Sequence, residues 1–223
     1  LSGSAYYTNV DSELIRAYGS TARVDIPGLK GNADYNLKIT SSDGNVIEKT
    51  VRTDAFRRDG FAHFNYTDGV GAYNDDGTLK SNAVVVYVTE ENKNTVQLPG
   101  YTGSQYPAGI GNILNYKSAD ANGVTGGGKT DIVKQLREEG IPLDVRFLGT
   151  IRGGDSNTSN NPPAENIKGL TGYNTPTNGG TKGDNGMMIR VYKSSNVTFE
   201  GIGDDATLDG WGIQVISQTG FVS

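Results

Sequence analysis

The residues of this sequence that most resemble a chemical motif lie in a glycine-rich stretch between Asn122 and Gly140, NGVTGGGKTDIVKQLREEG. The phosphate-binding pattern G-x-x-x-x-G-K-[ST] is matched there by Gly123, Gly128, Lys129 and Thr130. In such loops, backbone N–H groups and the N-terminus of the following helix converge on a phosphate, provided that a buried strand precedes the loop. The pattern therefore raises the hypothesis of a nucleotide site.

The context of the loop argues against that hypothesis. Residues 115–123, NYKSADANG, are polar and typical of a turn, and no apolar run ending in Asp follows to hold Mg²⁺. Glycine accounts for 32 of the 223 residues, so a chance match to a glycine-containing pattern is a real risk. We therefore predict a glycine-rich loop that leads into a helix with Thr130 as its N-cap, and no nucleotide partner.

A second candidate for chemistry is a group of aspartates, Asp68, Asp75 and Asp76, because carboxylate oxygens are ligands that Ca²⁺ prefers. Their spacing lacks the regular acidic positions of an EF-hand loop. Asp-Gly pairs are common in tight turns, so a turn is the preferred interpretation. No metal ligand is assigned to these residues.

The overall charge limits the classes of partner. The net charge of −5 and the pI near 4.9 argue against a nucleic-acid partner, which requires a basic surface. No apolar run is long enough to span a bilayer, so no membrane partner is predicted. The absence of cysteine leaves secretion open. The N-terminus, LSGSAYY, has neither a Met nor a charged leader, and we expect a mature or truncated piece.

The first part of the chain is predicted to be antiparallel β-structure. Apolar and polar residues alternate at Ala22–Ile26, Asp34–Ile39 and Asn45–Val51, and Asp43-Gly44 predicts a hairpin between the last two segments. Tyr35 follows Leu29 by six residues, which resembles the tyrosine corner of fibronectin type III and immunoglobulin-like sandwiches; a plain core tyrosine is the alternative.

Residues 1–53 are therefore predicted to form a partial fibronectin type III-like β-sandwich. Part of its front is expected to be missing, because a seven-strand sandwich needs about 100 residues. Residues 54–81 lack periodicity and are predicted to be a connector with turns.

A second domain is predicted over residues 82–223. It begins with a continuous apolar run, NAVVVYV at Asn82–Val88, which is typical of a strand buried on both faces. A helix is predicted at Asp131–Glu139, with Gly140 as its stop and one apolar face formed by Ile132, Val133 and Leu136. Pro142–Ile151 is predicted to be the next strand, and Gly153–Gly186 a surface loop that flanks a binding face.

Short apolar runs then recur every eight or nine residues, at Met187–Val191, Asn196–Ile202, Ala206–Leu208, Gly212–Ile216 and Phe221–Ser223. Short strands separated by turns and without helices are typical of a parallel β-helix, with three strands in each coil of somewhat over twenty residues. Ile189 and Gln214 are predicted to stack one coil apart. The predicted fold class is all-β, a right-handed parallel β-helix preceded by a partial antiparallel sandwich.

These segments carry a family resemblance. NVTFEGIGDDATLDGWGIQV, Asn196–Val215, resembles the start of the β-helix in pectate lyases of polysaccharide lyase family one. PLDVRFLGTI and DNGMMIRVYKSS precede it, and Gly71–Val96 is similar to the opening strand of such enzymes. The partial sandwich is similar to an accessory domain that these enzymes often carry. The resemblance covers about two thirds of the chain.

The resemblance implies a secreted, extracellular enzyme of pectin degradation and carbohydrate metabolism, which cleaves polygalacturonate or pectin by calcium-dependent β-elimination. Carboxylates from adjacent coils then hold Ca²⁺, which neutralises the uronate of the substrate, and an arginine removes the proton at C5. The glycosidic oxygen at C4 leaves. Ca²⁺ is the expected cofactor of the complete enzyme.

The resemblance assigns no catalytic or metal-binding residue within this sequence. Turn positions of the family are matched by Asp204, Asp205 and Asp209, and structural positions by Arg146, Arg152 and Arg190. The calcium ligands and the base are expected after Ser223, so this fragment is expected to lack the active site. The alternative from another class is a non-catalytic β-helix adhesin or a carbohydrate-binding protein.

Overall fold

The computed structural model describes residues 7–57, 71–114, 130–153, 167, 171–175, 183–192 and 195–216. The chain divides into two compact units, Leu1–Ser81 and Asn82–Ser223. Ten strands and two short α-helices are described, so the predicted all-β class is confirmed. Each unit is considered below by itself.

The first unit contains two antiparallel hairpins. Their strands are β1 (Ile15–Tyr18), β2 (Thr21–Val24), β3 (Asp34–Thr40) and β4 (Val46–Arg52). β1 pairs with β2, and β3 pairs with β4 in a register that places Ile39 opposite Ile47. The hairpin predicted at Asp43-Gly44 is confirmed, and Gly44 adopts the positive φ of 86° that a tight turn favours.

Tyr35 on β3 makes the contact predicted from its spacing. Its hydroxyl accepts a hydrogen bond from the backbone N–H of Lys30 at 2.9 Å, so the return of the hydroxyl to nearby backbone is confirmed. The described strands of this unit form two separate two-stranded sheets.

The second unit contains two sheets that are built mainly from parallel strands. The bounds of its elements are β5 (Val84–Val88), α1 (Ile110–Leu114), α2 (Ile132–Glu138), β6 (Leu143–Arg152), β7 (Thr171–Thr175), β8 (Gly183–Tyr192), β9 (Val197–Asp209) and β10 (Trp211–Ile216). One sheet has the order β5-β6-β9, and all of its pairs are parallel. The other has the order β10-β8-β7, in which β8 and β10 are parallel and β7 is antiparallel to β8.

The predicted register between β8 and β10 is wrong by one residue. Ile189 pairs with Ile213, whereas Gln214 pairs with Arg190. Met187 lies opposite Trp211, so the repeat is 24 residues. A shift of one residue moves a side chain to the other face of a sheet, and Ile189, which is fully buried, requires an apolar neighbour.

Two segment boundaries also differ from the predictions. The surface loop predicted at Gly153–Gly186 contains β7 and the beginning of β8, and Ile167 within it is buried in the core. Strand pairing uses backbone groups, so a segment rich in Gly, Asn and Thr can join a sheet. The two runs predicted at Asn196–Ile202 and Ala206–Leu208 form the single strand β9.

Both β6 and β9 change course at a glycine. The pairing passes from Leu148↔Ile202 to Thr150↔Thr207, with a register shift between them. Gly149 and Gly203 both have positive φ, 68° and 85°. A residue in this conformation interrupts an extended strand, so each strand has one segment before its glycine and another after it.

The apolar core of the second unit lies between its strands and helices. It includes Val86 and Val88 of β5, Val145 and Phe147 of β6, and Trp211 of β10. The ring of Phe147 stacks on Phe199 with centroids 6.2 Å apart and meets the Trp211 ring edge to face at 5.8 Å.

The helix predicted before Gly140 is confirmed as α2, and the three apolar residues predicted for its buried face, Ile132, Val133 and Leu136, are buried. Its N-cap is Asp131 rather than Thr130. The Asp131 carboxylate accepts a hydrogen bond from the backbone N–H of Lys134 at 3.0 Å, because an N-cap side chain reaches the N–H three residues further on. Burial raises the pKa of Asp131.

Candidate functional site

One face of the β5-β6-β9 sheet carries polar residues. Alternate residues of a strand point to opposite faces, and Val86, Val88, Val145 and Phe147 point into the apolar core. Tyr87, Asp144 and Arg146 therefore lie on the other face. The register places Arg146 between Tyr87 and Glu200, so three neighbouring strands each bring a polar group to one place.

These groups bind one another closely; we refer to Tyr87, Asp144, Arg146 and Glu200 as the Arg146 cluster. The Arg146 guanidinium donates from Nε to Asp144 Oδ2 at 2.8 Å and from NH1 to the Tyr87 hydroxyl at 2.9 Å. Glu200 Oε2 lies 3.3 Å from Arg146 Nε. The guanidinium carbon is also 5.6 Å from the centroid of the Tyr87 ring.

Burial separates the members of the Arg146 cluster. Asp144 is 0% and Arg146 3% exposed, whereas the side chain of Glu200 is 24% exposed. A buried ion pair of this kind needs good geometry to offset the loss of hydration, and the short Arg146–Asp144 contact provides it. Arg146 is thus held as an ion-pair partner away from solvent.

A second polar group joins the loop after β5 to the end of β6. Lys93, which is 4% exposed, donates to Glu90 Oε1 at 2.8 Å and to the backbone oxygen of Arg152 at 2.7 Å. Glu90 Oε2 accepts a hydrogen bond from the backbone N–H of Arg152 at 2.7 Å. Burial alone would raise the pKa of Glu90, but the hydrogen bonds from Lys93 and Arg152 and their charges outweigh it and lower the pKa.

The acidic residues that the resemblance places at turns are not gathered into one site. Asp204 is exposed and Asp205 is half-buried in the part of β9 that follows Gly203. Asp209 lies 3.7 Å from the Arg152 guanidinium, and both side chains are well exposed. Arg190 belongs to β8, where the structure describes its backbone only.

The other sequence motifs are placed only in part. Asp76 accepts hydrogen bonds from the backbone N–H and the hydroxyl of Thr78, and the hydroxyl contact lowers its pKa, which agrees with a role in a turn. Asp68 and the glycines and lysine of the phosphate-loop pattern lie outside the described residues. The Asp131 carboxylate already accepts a hydrogen bond from the backbone N–H of Lys134 at the start of α2. A phosphate bound to this N–H would have to displace the carboxylate.

The sequence contains a signal for part of the Arg146 cluster that motif reasoning missed. Asp144 and Arg146 are two residues apart and alternate with the apolar residues Leu143, Val145 and Phe147, which places them on one face and suits an ion pair. No local signal identifies Tyr87 and Glu200 as their partners, because β5, β6 and β9 are distant in the sequence.

The described residues do not fit a calcium ion. Ca²⁺ takes six to eight oxygen ligands, several of them carboxylates. Across the described ranges, no three Asp, Glu or His side chains converge on one point. The carboxylates of Asp144 and Glu200 each contact Arg146. We therefore derive no calcium-dependent step from these residues.

Comparison of the chain with protein-family models, with curated proteins and with solved structures gives no match. In the part of the chain that the structure describes, neither helix has the length and apolar character needed to cross a membrane.

Proposed function

We propose that the second unit winds into coils of a right-handed parallel β-helix. The support is the order in which the chain visits its two sheets. β8, β9 and β10 follow one another; β8 and β10 pair with each other, while β9 between them pairs with β6. The chain thus leaves one sheet, runs through the other and returns in parallel register 24 residues later. A coil requires this alternation.

The breaks in β6 and β9 supply the third side of each coil. Gly149 and Gly203 divide each of these strands into two segments, and the second segments pair with each other from Thr150↔Thr207 to Arg152↔Asp209. Together with the β8–β10 pair, these segments make three strands in each turn of the chain.

The register can be tested with engineered disulfides, because the chain has no cysteine of its own. Met188 and Gly212 are register partners on neighbouring strands, so Met188→Cys with Gly212→Cys is expected to oxidise readily. Met188→Cys with Gln214→Cys is the matched control, since its second cysteine lies two residues further along the strand. Equal oxidation of both pairs would contradict the coil.

We further propose that these coils belong to a secreted, calcium-dependent pectate lyase that acts on polygalacturonate by β-elimination. The observation that carries this proposal is the position of the resembling segments. Pro142–Ile151 coincides with β6, and Asn196–Val215 spans β9 and most of β10, so the segments form neighbouring strands of the proposed coils. Calcium would supply charge neutralisation of the uronate. No described residue is assigned as its ligand or as the base.

Lyase activity is tested with protein expressed from the complete reading frame. Incubation with polygalacturonate and Ca²⁺ is expected to produce unsaturated product, followed by its ultraviolet absorbance, and EDTA is expected to abolish the signal. A neutral galactan is the matched substrate control, because it lacks the carboxylate that acidifies C5. Absence of product from polygalacturonate with calcium present would refute the lyase.

A non-catalytic β-helix that binds carbohydrate is the second candidate. The same coils would serve either candidate, because a fold does not by itself determine a function. Binding of polygalacturonate without product formation would support this candidate over the lyase.

A further inference from the structure

The first unit has a small apolar core and an exposed apolar face. Among its described residues, the buried apolar side chains are those of Leu14, Ala72 and Tyr73. Ile39 and Ile47 are register partners near the turn of the β3–β4 hairpin, and they are 57% and 64% exposed. A two-stranded hairpin is marginally stable by itself, and a small core leaves a domain dependent on further contacts. A further strand beside this hairpin would therefore stabilise the unit.

The β3–β4 hairpin has two edges at which a further strand could pair. Among the described strands, β3 pairs with β4 alone and β4 with β3 alone, so each has one edge without a neighbouring strand. Such an edge presents backbone N–H and C=O groups, to which the backbone of another strand can hydrogen-bond. The side chains beside the two edges decide which of them suits a partner.

The edge of β4 is protected by a charge, and the edge of β3 is not. Lys49 lies on the same face of β4 as Ile47, because alternate residues share a face. A lysine on the apolar face of an edge strand is one of the devices by which proteins prevent pairing at that edge. On the same face, β3 carries Tyr35, Leu37 and Ile39 and no charged residue. The edge of β3 is thus the one that suits a partner.

The sequence of β3 is complementary to itself in the antiparallel direction. When two copies of β3 lie side by side about a two-fold axis at Asn36, Asp34 of each copy lies opposite Lys38 of the other. On the apolar face, Tyr35 lies opposite Leu37 in the same register. Opposite charges on neighbouring strands are favourable, and the aromatic ring meets an apolar side chain. The pattern of charges therefore matches a second copy of the same strand.

We propose that two copies of the chain associate through the edges of their β3 strands. The two hairpins then form one antiparallel sheet with the strand order β4-β3-β3-β4, and their apolar faces become continuous. A sheet of four strands has the neighbours that a two-stranded hairpin lacks. The association does not depend on the proposed lyase activity, because it involves the first unit alone.

The contact is tested with single cysteines in the full chain, which has none of its own. Asn36→Cys brings the thiols of two copies together at the axis, so mild oxidation is expected to give a disulfide-linked dimer. Thr50→Cys is the matched control, because Thr50 is the exposed register partner of Asn36 on β4. This control is expected to stay largely monomeric. Equal cross-linking of the two variants, or more from Thr50→Cys, would overturn the proposal.

A charge variant tests the register by sedimentation over a series of protein concentrations. Lys38→Glu places like charges opposite each other at both ends of the contact, so the dissociation constant of the dimer is expected to rise roughly tenfold. Lys49→Glu makes the same charge change on β4 and is expected to alter the constant by less than about twofold. Because Lys38 also lies 4.0 Å from Glu48, circular dichroism checks that both variants keep their strands.

Two results of the sedimentation experiment would contradict the proposal. One is an equal effect of Lys38→Glu and Lys49→Glu on the dimer. The other is an original chain that stays monomeric at every concentration. Slow hydrogen exchange of all β3 amides in such a monomer would show that another part of the same chain covers this edge.

Discussion

Replacing Asp144 with Asn is expected to destabilise the second unit strongly. The substitution keeps the size of the side chain but removes the negative charge 2.8 Å from Arg146 Nε, and Arg146 is only 3% exposed. Breaking a buried ion pair costs about 3–5 kcal/mol, because one charge stays buried without compensation. Glu200 remains 3.3 Å away and is partly hydrated, so we expect the lower end, about 3 kcal/mol.

The measurement is unfolding in urea followed by tryptophan fluorescence. Trp211 is the one tryptophan of the chain, it is 8% exposed, and it lies in the same unit as Asp144. If the same variant is unfolded by heat instead of urea, a loss of about 3 kcal/mol corresponds to a fall of about 6–12 °C in the melting temperature of a domain of this size.

Asp209→Asn is the matched control for Asp144→Asn. It makes the same chemical change in an ion pair with Arg152 at 3.7 Å whose side chains are 62% and 59% exposed. An exposed pair of this kind contributes at most about 1 kcal/mol.

A double variant separates the loss of a charge from the loss of a contact. Asp144→Leu with Arg146→Met removes both charges and is expected to be close to the original protein in stability, since apolar groups of similar size often replace a buried pair without loss. The reasoning is refuted if Asp144→Asn costs no more than Asp209→Asn. It is also refuted if the double variant is as unstable as Asp144→Asn.

Three further outcomes are expected. Gly153→Ala should destabilise the second unit by about 1–3 kcal/mol in the same urea assay, because the added Cβ would lie 2.7 Å from Trp211 Cβ. Tyr35→Phe should cost the first unit about 0.5–1.5 kcal/mol by far-ultraviolet circular dichroism, because the Lys30 N–H loses its acceptor, while the fluorescence transition stays unchanged. The pKa of Glu90 is lower in the folded protein than in the unfolded chain, so its contribution to stability is present above the unfolded-state pKa and is lost as the pH falls through the lower, folded-state pKa. The stability difference between the original protein and Glu90→Gln should therefore shrink over that acidic range.

The parts of the fold that depend on neighbouring residues were predictable from the sequence. The hairpin of β3 and β4 follows from period-two alternation around Asp43-Gly44, and both signals lie within a few residues of each other. The apolar face of α2 follows in the same way from its helical spacing. The cap of that helix was assigned one residue early, because Thr130 and Asp131 are both good N-cap residues and only the position of the first turn decides between them.

The parts that depend on distant pairing were not predictable in detail. Periodicity indicates where β8 and β10 lie, but it fixes their register only to within a residue, so Ile189 was matched with Gln214 instead of Ile213. The Arg146 cluster shows the same limit. Its Asp144–Arg146 half is local, whereas Tyr87 is 59 residues from Arg146 and is brought to it only by the pairing of β5 with β6.

The glycine breaks in β6 and β9 have a consequence for the lengths of chain that this architecture tolerates. Between the same two paired positions, β6 has one residue, Gly149, and β9 has the four residues 203–206, yet the strands pair again beyond them. A Cβ built on Gly149 would meet no atom within 4 Å, so there is open space beside it. The break therefore absorbs differences in length without moving the strands on either side. A short foreign peptide grafted between Gly203 and Ala206 should consequently be displayed on the surface while the sheet keeps its alignment.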